Sequence, residues 1–222
     1  MAPRFLFDER GKLLKTNITR GILPANPFAQ VKLCHIPEKS PAFLSPQDLE
    51  RLMDVVKDDW IRDLILFAVA TRLRRGELVN LRWDDVDLAK KVIRVQSREG
   101  FKVKAGRSRV VPLSDLALEV LGRQDKSTQC GLVFHRKSRK VNGTFLAAKF
   151  KRFVRAAGLD EVIHWHSLRS SFASWLVMKG VSIYAVSKLL GHSEVGVTQK
   201  CYAHLAPGSL HEEVNRINGS FK

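Results

Sequence analysis

The stretch HSLRSSFASWLVMKGVSIYAVSKLLGHSEVGVTQKCYAHLAP, residues 166–207, holds the features that decide the fold. Apolar side chains recur at helical spacing through HSLRSSFASWLVMKG, and Gly180 is placed to cap the end of that helix. A second helical run, SIYAVSKLLG, follows directly, and Pro207 closes the stretch. Two helices in close succession predict a mainly α-helical domain at this end of the chain.

The spacing of apolar residues changes in the middle of the chain. Three short segments rich in valine and isoleucine, with charges between them, predict a small antiparallel sheet of three strands: WDDVDL (83–88), KKVIRVQ (90–96) and RSRVVPLS (107–114). Further helices are predicted where apolar spacing is again helical. They are SPQDLERLMDVV (45–56), IRDLILFAVAT (61–71), SDLALEVLGR (114–123), NGTFLAAKFKRFVRAAG (142–158) and SLHEEVNRI (209–217). The fold class is therefore mainly α with one small antiparallel sheet.

Composition divides the chain into two parts of unequal size. Residues 1–40 are basic and carry Pro24, Pro27 and Pro37, and GILPANPF (21–28) is typical of a helix end followed by an extended linker. This segment is too short to bury a core of its own. Residues 41–222 have the length and pattern of one globular domain with a C-terminal helix. We expect a basic N-terminal segment joined to a single larger domain.

The charge balance points to a polyanionic partner. Lys and Arg total 38 against 22 for Asp and Glu, giving a net charge of +16. Nucleic acid is the simplest partner for such a surplus, with a membrane surface as the alternative. We expect no membrane span and no signal peptide, because no run is long or apolar enough. Three scattered cysteines (Cys34, Cys130 and Cys201) indicate reduced thiols in the cytoplasm, without a disulfide framework or a zinc site.

One set of polar residues suits chemistry on a phosphate. His166 and Arg169 are three residues apart, which places them on one helical face. Together with Arg74 they offer the bidentate donors that hold phosphate oxygens. Tyr202, in the segment that follows His192, supplies a hydroxyl that can attack phosphorus and form a covalent ester. This set predicts phosphoryl transfer by positioning and charge stabilisation, with neither a metal nor a cofactor.

Several ordered motifs carry a resemblance to a known family. TRLRRGELVNLRW (71–83) resembles the pattern TGLRxxELxxLRW, HSLRSSFA (166–173) resembles HxLRHTFA, and LLGHSEV (189–195) followed by YAHL (202–205) resembles the LGH and tyrosine segment. The chain thus resembles the catalytic domain of the tyrosine recombinase, or phage integrase, family over roughly residues 41–207. The resemblance implies a mostly helical fold with a three-stranded sheet at one edge. Members of this family usually carry an N-terminal core-binding domain. By this resemblance, residues 1–40 correspond only to the last helix and linker of that domain.

The resemblance implies a role for each matching residue. Arg74 and Arg169 are the arginines that clamp the phosphate, and Tyr202 is the nucleophile. The remaining members are His166 (which manages the proton of the tyrosine), His192 (the assisting second histidine), Lys104 (the hairpin lysine that protonates the leaving oxygen) and Glu77 (the supporting acidic residue). Lys102 competes with Lys104 for the hairpin position, and spacing to the following proline favours Lys104.

The chain departs from the family pattern at three points. Arg72 stands where the family usually has glycine, and Ser170 where it often has histidine; we expect neither to abolish activity. Tyr202 follows His192 by ten residues, against the common nine. One extra residue rotates a helical position by about 100°. We expect the helix either to stop before Tyr202 or to contain a bulge that absorbs the residue.

The implied activity is site-specific cutting and rejoining of DNA through a 3′-phosphotyrosine intermediate. Two alternatives stay open: relaxation of DNA in the manner of a type IB topoisomerase, and a DNA-binding factor without catalysis. The family also implies double-stranded DNA as partner and four protomers on two DNA sites. The segment SLHEEVNRINGSFK (209–222) is long enough to be the helix passed between protomers, or to fold back on its own protomer. A bacterial, phage or mobile-element protein of the cytoplasm is expected.

Overall fold

A computed structural model describes residues 19–22, 24, 40–103, 108–127, 130–192 and 194–208. The chain separates into two compact units, residues 1–39 and 40–222. All helices and strands described below belong to the second unit. The predicted C-terminal helix (209–217), Lys104 and most of the predicted linker (21–28) lie outside the described residues.

Helices are the main regular structure in the described part of the second unit, as predicted. They are α1 Pro46–Val55, α2 Asp59–Thr71, α3 Arg75–Leu78, α4 Asp115–Gly122, α5 Gly143–Ala156, α6 Ser167–Met178, α7 Ile183–Leu190 and α8 Val195–Tyr202. The sequence predicted Gly180 as the capping residue of α6. In the structure the capping residue is Lys179, and Gly180 follows it with φ of 80°. None of the described helices has the length and apolar character needed to cross a membrane.

The predicted three-stranded sheet is confirmed. Strands β1 (Val86–Asp87), β2 (Val92–Val95) and β3 (Arg109–Pro112) pair antiparallel in the order β1-β2-β3. The pairing places Ile93 opposite Val111, and both side chains are fully buried. The sheet therefore turns one face to the helices and the other to solvent.

A second, two-stranded hairpin was not predicted. Strands β4 (His135–Arg136) and β5 (Arg139–Lys140) pair antiparallel. Two-residue strands are too short to show an alternating pattern. Their turn is made by Lys137 and Ser138 at φ of 51° and 56°, in place of the glycine or asparagine that marks such turns in a sequence.

The segment before α1 is fixed to α6 by two hydrogen bonds. Leu44 N–H donates to Oγ of Ser171 at 2.8 Å, and Nε1–H of Trp175 donates to the Leu44 carbonyl at 2.8 Å. Ser45 then caps α1 as predicted, in a reciprocal capping box with Asp48. These bonds hold α6, the helix that carries the HSLRSSFA motif, against the start of the domain.

Two apolar clusters organise the domain. The larger one joins α2 to its neighbours α4 and α6, with the rings of Phe67 and Phe134 5.0 Å apart. The smaller one lies between α6, α7 and α8. Its buried members are Ala173, Val177, Val186, Leu190 and Tyr202. The smaller cluster therefore fixes the tyrosine next to the C-terminal half of α6.

Candidate active site

The first part of the site is built at the start of α3. Arg74 directly precedes this helix, and its N–H donates to Oε2 of Glu77 at 2.8 Å. Nη1 of Arg74 donates to the other oxygen, Oε1, at 3.0 Å. A single helical turn thus places the carboxylate beside the arginine, as the pattern of the motif predicted.

Arg109 on β3 completes this group, although the sequence analysis did not select it. Its Nη1 and Nη2 donate to Oε1 and Oε2 of Glu77 at 2.8 Å and 2.5 Å. Burial raises the pKa of the Glu77 carboxyl, but the hydrogen bonds and charges of Arg109 and Arg74 outweigh it and hold the pKa below its usual value. Glu77 is therefore an ionised, buried carboxylate that joins α3 to the sheet.

Arg109 carries no clear signal in the sequence. Val111 is buried and Val110 is 61% exposed, so alternation along β3 places Arg109 on the buried face. Because both residues are valines, the sequence alone does not show which of them faces the core. The pairing of Arg109 therefore follows from the structure and not from the strand pattern.

Arg169 lies at the centre of the site. It is 4% exposed, and its Nη1 donates to the carbonyl of Arg72 at 2.6 Å. Its Nη2 donates to the carbonyl of Leu190, the last residue of α7. Burial, followed by the positive charges of Arg74 and Arg109, lowers the pKa of Arg169 to about 9. The guanidinium is thus held near other cations, in a position that favours binding of an anion.

His166 caps the start of α6, one turn before Arg169. The main-chain N–H of Arg169 donates to the His166 carbonyl at 3.0 Å, and the His166 side chain is exposed while Arg169 is buried. The separation of one helical turn is as predicted. The two side chains differ in depth, which places the imidazole at the solvent side of the site.

His192 follows α7 and is half-buried. Its Nδ1 lies 2.8 Å from Oγ1 of Thr198 on α8. Burial, and then the charges of Arg169, Arg74 and His166, lower the pKa of His192 to about 4. The imidazole is therefore neutral at neutral pH, and its orientation is set by the threonine.

Gly191 is required for this arrangement for two reasons. Its φ is 67°, a conformation that side chains with a Cβ rarely adopt. In addition, a Cβ at this position would lie 2.7 Å from Cδ of Arg109. The glycine of the LGH motif therefore allows the sheet arginine to pass directly beneath the turn that carries His192.

Tyr202 is the last residue of α8 and is only 5% exposed. Burial raises the pKa of its hydroxyl, while a hydrogen bond with the Ser170 hydroxyl and the charge of Arg169 act in the opposite direction. The phenol is therefore neutral in this conformation. Ser170, which replaces the family's histidine, is the polar group that Tyr202 meets.

The longer spacing before Tyr202 is accommodated at the end of α8. The helix extends to Tyr202, one residue beyond an end before the tyrosine, but Tyr202 itself has φ of −132° and ψ of −10°, outside the helical range, and a 3₁₀ turn, Ala203–Leu205, follows. The ring of Tyr202 packs in the smaller apolar cluster against α6 and α7.

The remaining candidates are placed as follows. Lys104 lies outside the described residues, so its role stays a prediction. Lys102 is exposed, and the next residue, Val103, is buried with its N–H on Oγ of Ser97 at 3.0 Å. Tyr184 is 61% exposed on α7 and is not part of the small apolar cluster. Among the described residues, no group of three or more His, Cys, Asp or Glu side chains could hold a metal ion.

Comparison with known proteins decides the family. The family model described as "Phage integrase family" matches residues 42–208, which is most of the chain and contains every motif quoted above. The chain belongs to the phage integrase family. Its membership confirms the predicted family and places the arginines, histidines and Tyr202 inside the matched region.

Three known proteins illustrate the relationship. The integrase of Salmonella phage P22 is 28% identical over 190 residues, covering 81% of this chain and 48% of that protein. The tyrosine recombinase XerA of Thermococcus kodakarensis is 34% identical over 172 residues, covering 74% and 58%. The structure of the Tn1549 transposon integrase in complex with a circular intermediate DNA superimposes with a TM-score of 0.73 at 19% identity, covering 94% of this chain and 76% of that one. This phage integrase family member therefore spans about half the length of the phage protein.

Proposed function

We propose that this chain is a site-specific DNA recombinase, a strand transferase that joins itself to DNA through Tyr202. The observation that carries the proposal is an excess of buried positive charge. Four guanidinium groups influence one another at the site, and among the described residues Glu77 is the one carboxylate that forms ion pairs with any of them. The four are Arg72, Arg74, Arg109 and Arg169.

This excess favours an anionic ligand. Arg169 is bound to two carbonyl oxygens, which compensate its charge less well than a carboxylate does. Arg74 is the more open arginine, with 27% of its side chain exposed, so it offers an approach from solvent. A phosphodiester carries one negative charge, and the pentavalent transition state carries more. The site is therefore suited to bind the transition state more tightly than the substrate.

The proposed roles follow from these positions. Arg74 and Arg169 hold the two non-bridging oxygens of the scissile phosphate. His192, neutral and oriented by Thr198, donates a hydrogen bond to the same group. His166, at the exposed edge, accepts the proton of the Tyr202 hydroxyl.

The proposed step balances as follows. Oη of Tyr202 forms a bond to phosphorus while the bond from phosphorus to the 5′-bridging oxygen breaks. The phenol proton goes to His166, and Lys104 donates a proton to the leaving 5′-oxygen. The phosphotyrosine keeps the energy of the ester, so a second 5′-hydroxyl can reverse the reaction without an external energy source. Because Tyr202 is buried, its side chain must leave the small apolar cluster to reach a phosphate.

The names of the relatives support DNA as the partner. They are described as integrases and tyrosine recombinases, and the Tn1549 integrase was determined bound to DNA. We further propose that four protomers act on two DNA sites and that residues 209–222 contact a neighbouring protomer.

Covalent capture tests the proposal. A pool of duplexes with a randomised core and a nick is incubated with the protein, so that cleavage releases a short strand and traps the adduct. Denaturing gels then separate covalent complexes, and mass spectrometry of the digested adduct should place the nucleotide on Tyr202. No adduct from any duplex would leave a DNA-binding factor as the function. Relaxation of supercoiled plasmid without exchange between two captured sites would assign the topoisomerase activity instead.

A further inference from the structure

The C-terminal end of α7 has four carbonyl groups that need partners outside the helix. In any helix the last four carbonyl groups lack partners within the helix, because no later turn supplies N–H donors to them. The carbonyls of Ser187 and Lys188 accept from the main-chain N–H groups of Gly191 and His192. Among the described residues, which do not include Ser193, no main-chain N–H donates to the carbonyls of Leu189 and Leu190, and each accepts from an arginine side chain.

Those two arginines come from different parts of the chain. Arg169 on α6 binds the Leu190 carbonyl, and Nε of Arg72, after α2, binds the Leu189 carbonyl. The carbonyl of Arg72 also accepts the second arm of Arg169 at 2.6 Å. Arg72 therefore fixes Arg169 through its main chain and the end of α7 through its side chain.

The environment of Arg72 shows that its contact with Leu189 is held in place by the surrounding structure. Its side chain is 2% exposed, and the guanidinium lies 5.1 Å from the ring centre of Phe172. Its φ is 51°, a left-handed conformation that an arginine adopts at a cost. The family's usual glycine adopts this conformation without that cost but has no side-chain donor for Leu189.

We propose that Arg72 is a positioning residue that completes the cap of α7 and so sets the orientation of Arg169 and His192. His192 lies two residues beyond Leu190, so a displaced helix end moves its imidazole. This inference rests on the proposed function for its kinetic consequence. Its structural consequence, the placement of His192, does not depend on catalysis.

Arg72→Gly is the decisive variant. Glycine accepts a φ of 51°, so the main-chain carbonyl that holds Arg169 stays in place while the donor to Leu189 is lost. We expect the single-turnover rate of adduct formation to fall roughly 10- to 100-fold, the scale of a small misplacement of catalytic groups. DNA affinity should fall much less than the rate, because Arg72 is buried and adds charge to the site without a direct contact to the ligand.

Chemical rescue separates positioning from a general loss of structure. The variant leaves a space of guanidinium shape between Leu189 and Phe172. Millimolar guanidinium should therefore restore the rate of Arg72→Gly, and sodium chloride at equal ionic strength should not. Arg72→Lys should keep most of the rate, since an ammonium can donate to the Leu189 carbonyl. Lys91→Gly is the matched control: Lys91 also has φ of 51° but is exposed and lies outside the quoted motifs.

A spectroscopic measurement makes the outcome independent of catalysis. The imidazole resonances of His192 should shift in Arg72→Gly and return on addition of guanidinium, with no DNA present. Unchanged resonances, or a rate in Arg72→Gly equal to that of the wild type, would overturn the proposal. Absence of any adduct in the wild type would overturn the proposed function alone, and the His192 resonances would still decide the role of Arg72.

Discussion

Each oxygen of the Glu77 carboxylate is bound by a different nitrogen of Arg109, at 2.8 Å and 2.5 Å. The same two oxygens also bind Arg74, so one carboxylate fixes both a catalytic candidate and a strand of the sheet. The position of Arg74 therefore depends on a residue that lies far along the chain, on β3. This arrangement leads to the first prediction.

Glu77→Gln should destabilise the protein strongly. The change leaves two guanidinium groups facing a neutral amide in a buried site, and breaking a buried ion pair typically costs about 3–5 kcal/mol. Folding lowers the pKa of Glu77, so its stabilising effect is complete above the ordinary value of 4.5 and is lost as the pH falls below it. Urea denaturation at several pH values measures both effects. Glu119→Gln is the control, because Glu119 is 67% exposed and pairs only at the surface.

His192 should titrate far below the usual range for histidine. Its pKa is lowered to about 4, so the imidazole stays neutral while an unfolded chain takes up a proton near 6.5. The unfolded state therefore gains protons first, and stability should fall between pH 6.5 and 4. NMR titration of the imidazole measures the value directly. Binding of phosphate or DNA should raise it, because an anion favours the charged form; a value near 6.5 without ligand would contradict the assigned environment.

Tyr202→Phe should abolish the covalent adduct and keep DNA binding. The substitution removes only the hydroxyl, and the ring can still fill the apolar cluster around Val186 and Leu190. Denaturing gels and binding assays on the same duplex measure the two properties. Tyr184→Phe is the matched control, and loss of adduct in that variant instead would show that the nucleophile has been assigned to the wrong tyrosine.

Lys104 should act by protonating the leaving oxygen. Lys104→Ala should slow cleavage by about 10²–10⁴-fold, the usual contribution of general acid catalysis. A substrate with sulfur at the 5′-bridging position should restore most of this rate, since a thiolate leaves without a proton. The same sulfur should not rescue Arg74→Ala, because that arginine stabilises charge on the non-bridging oxygens. Rescue of Lys102→Ala in place of Lys104→Ala would move the role to the neighbouring lysine.

DNA binding should depend steeply on salt. A net charge of +16 favours contacts with the phosphate backbone. Each neutralised phosphate contributes a slope of about −0.9 to a plot of log K against log salt concentration. Fluorescence anisotropy with one duplex between low and moderate salt gives this slope. A flat response would show that charge does not dominate binding.

The fold was predictable because its signals are local. Short segments rich in valine and isoleucine around Ile93 and Val111 identified the strands, and the capping pair Ser45 and Asp48 marked the start of α1. His166 and Arg169 also lie one helical turn apart, as their spacing predicts. Each of these signals depends on residues within a few positions of one another.

The parts that the sequence did not reveal depend on contacts between distant residues. Arg109 pairs with Glu77 across 32 positions, and Arg72 binds Leu189 across 117. The conformation at the end of α8 also involves distant residues, since Tyr202 is buried against α6 and α7. Helical geometry alone predicts how far an extra residue rotates the side chain of Tyr202 about the helix axis. It does not predict the apolar cluster into which that side chain packs.

Four arginines lie close together near the carboxylate of Glu77: Arg72, Arg74, Arg109 and Arg169. A change that increases the stability of the ligand-free protein is therefore expected to reduce its activity. Like charges held close together repel, so the folded protein carries a free-energy cost that an anionic ligand relieves. Selection for heat resistance in the absence of DNA should therefore favour substitutions that weaken this repulsion without breaking the ion pairs of Glu77. Such variants would be easier to purify and slower to cut DNA, and a thermostability screen on this protein should include DNA from the first round.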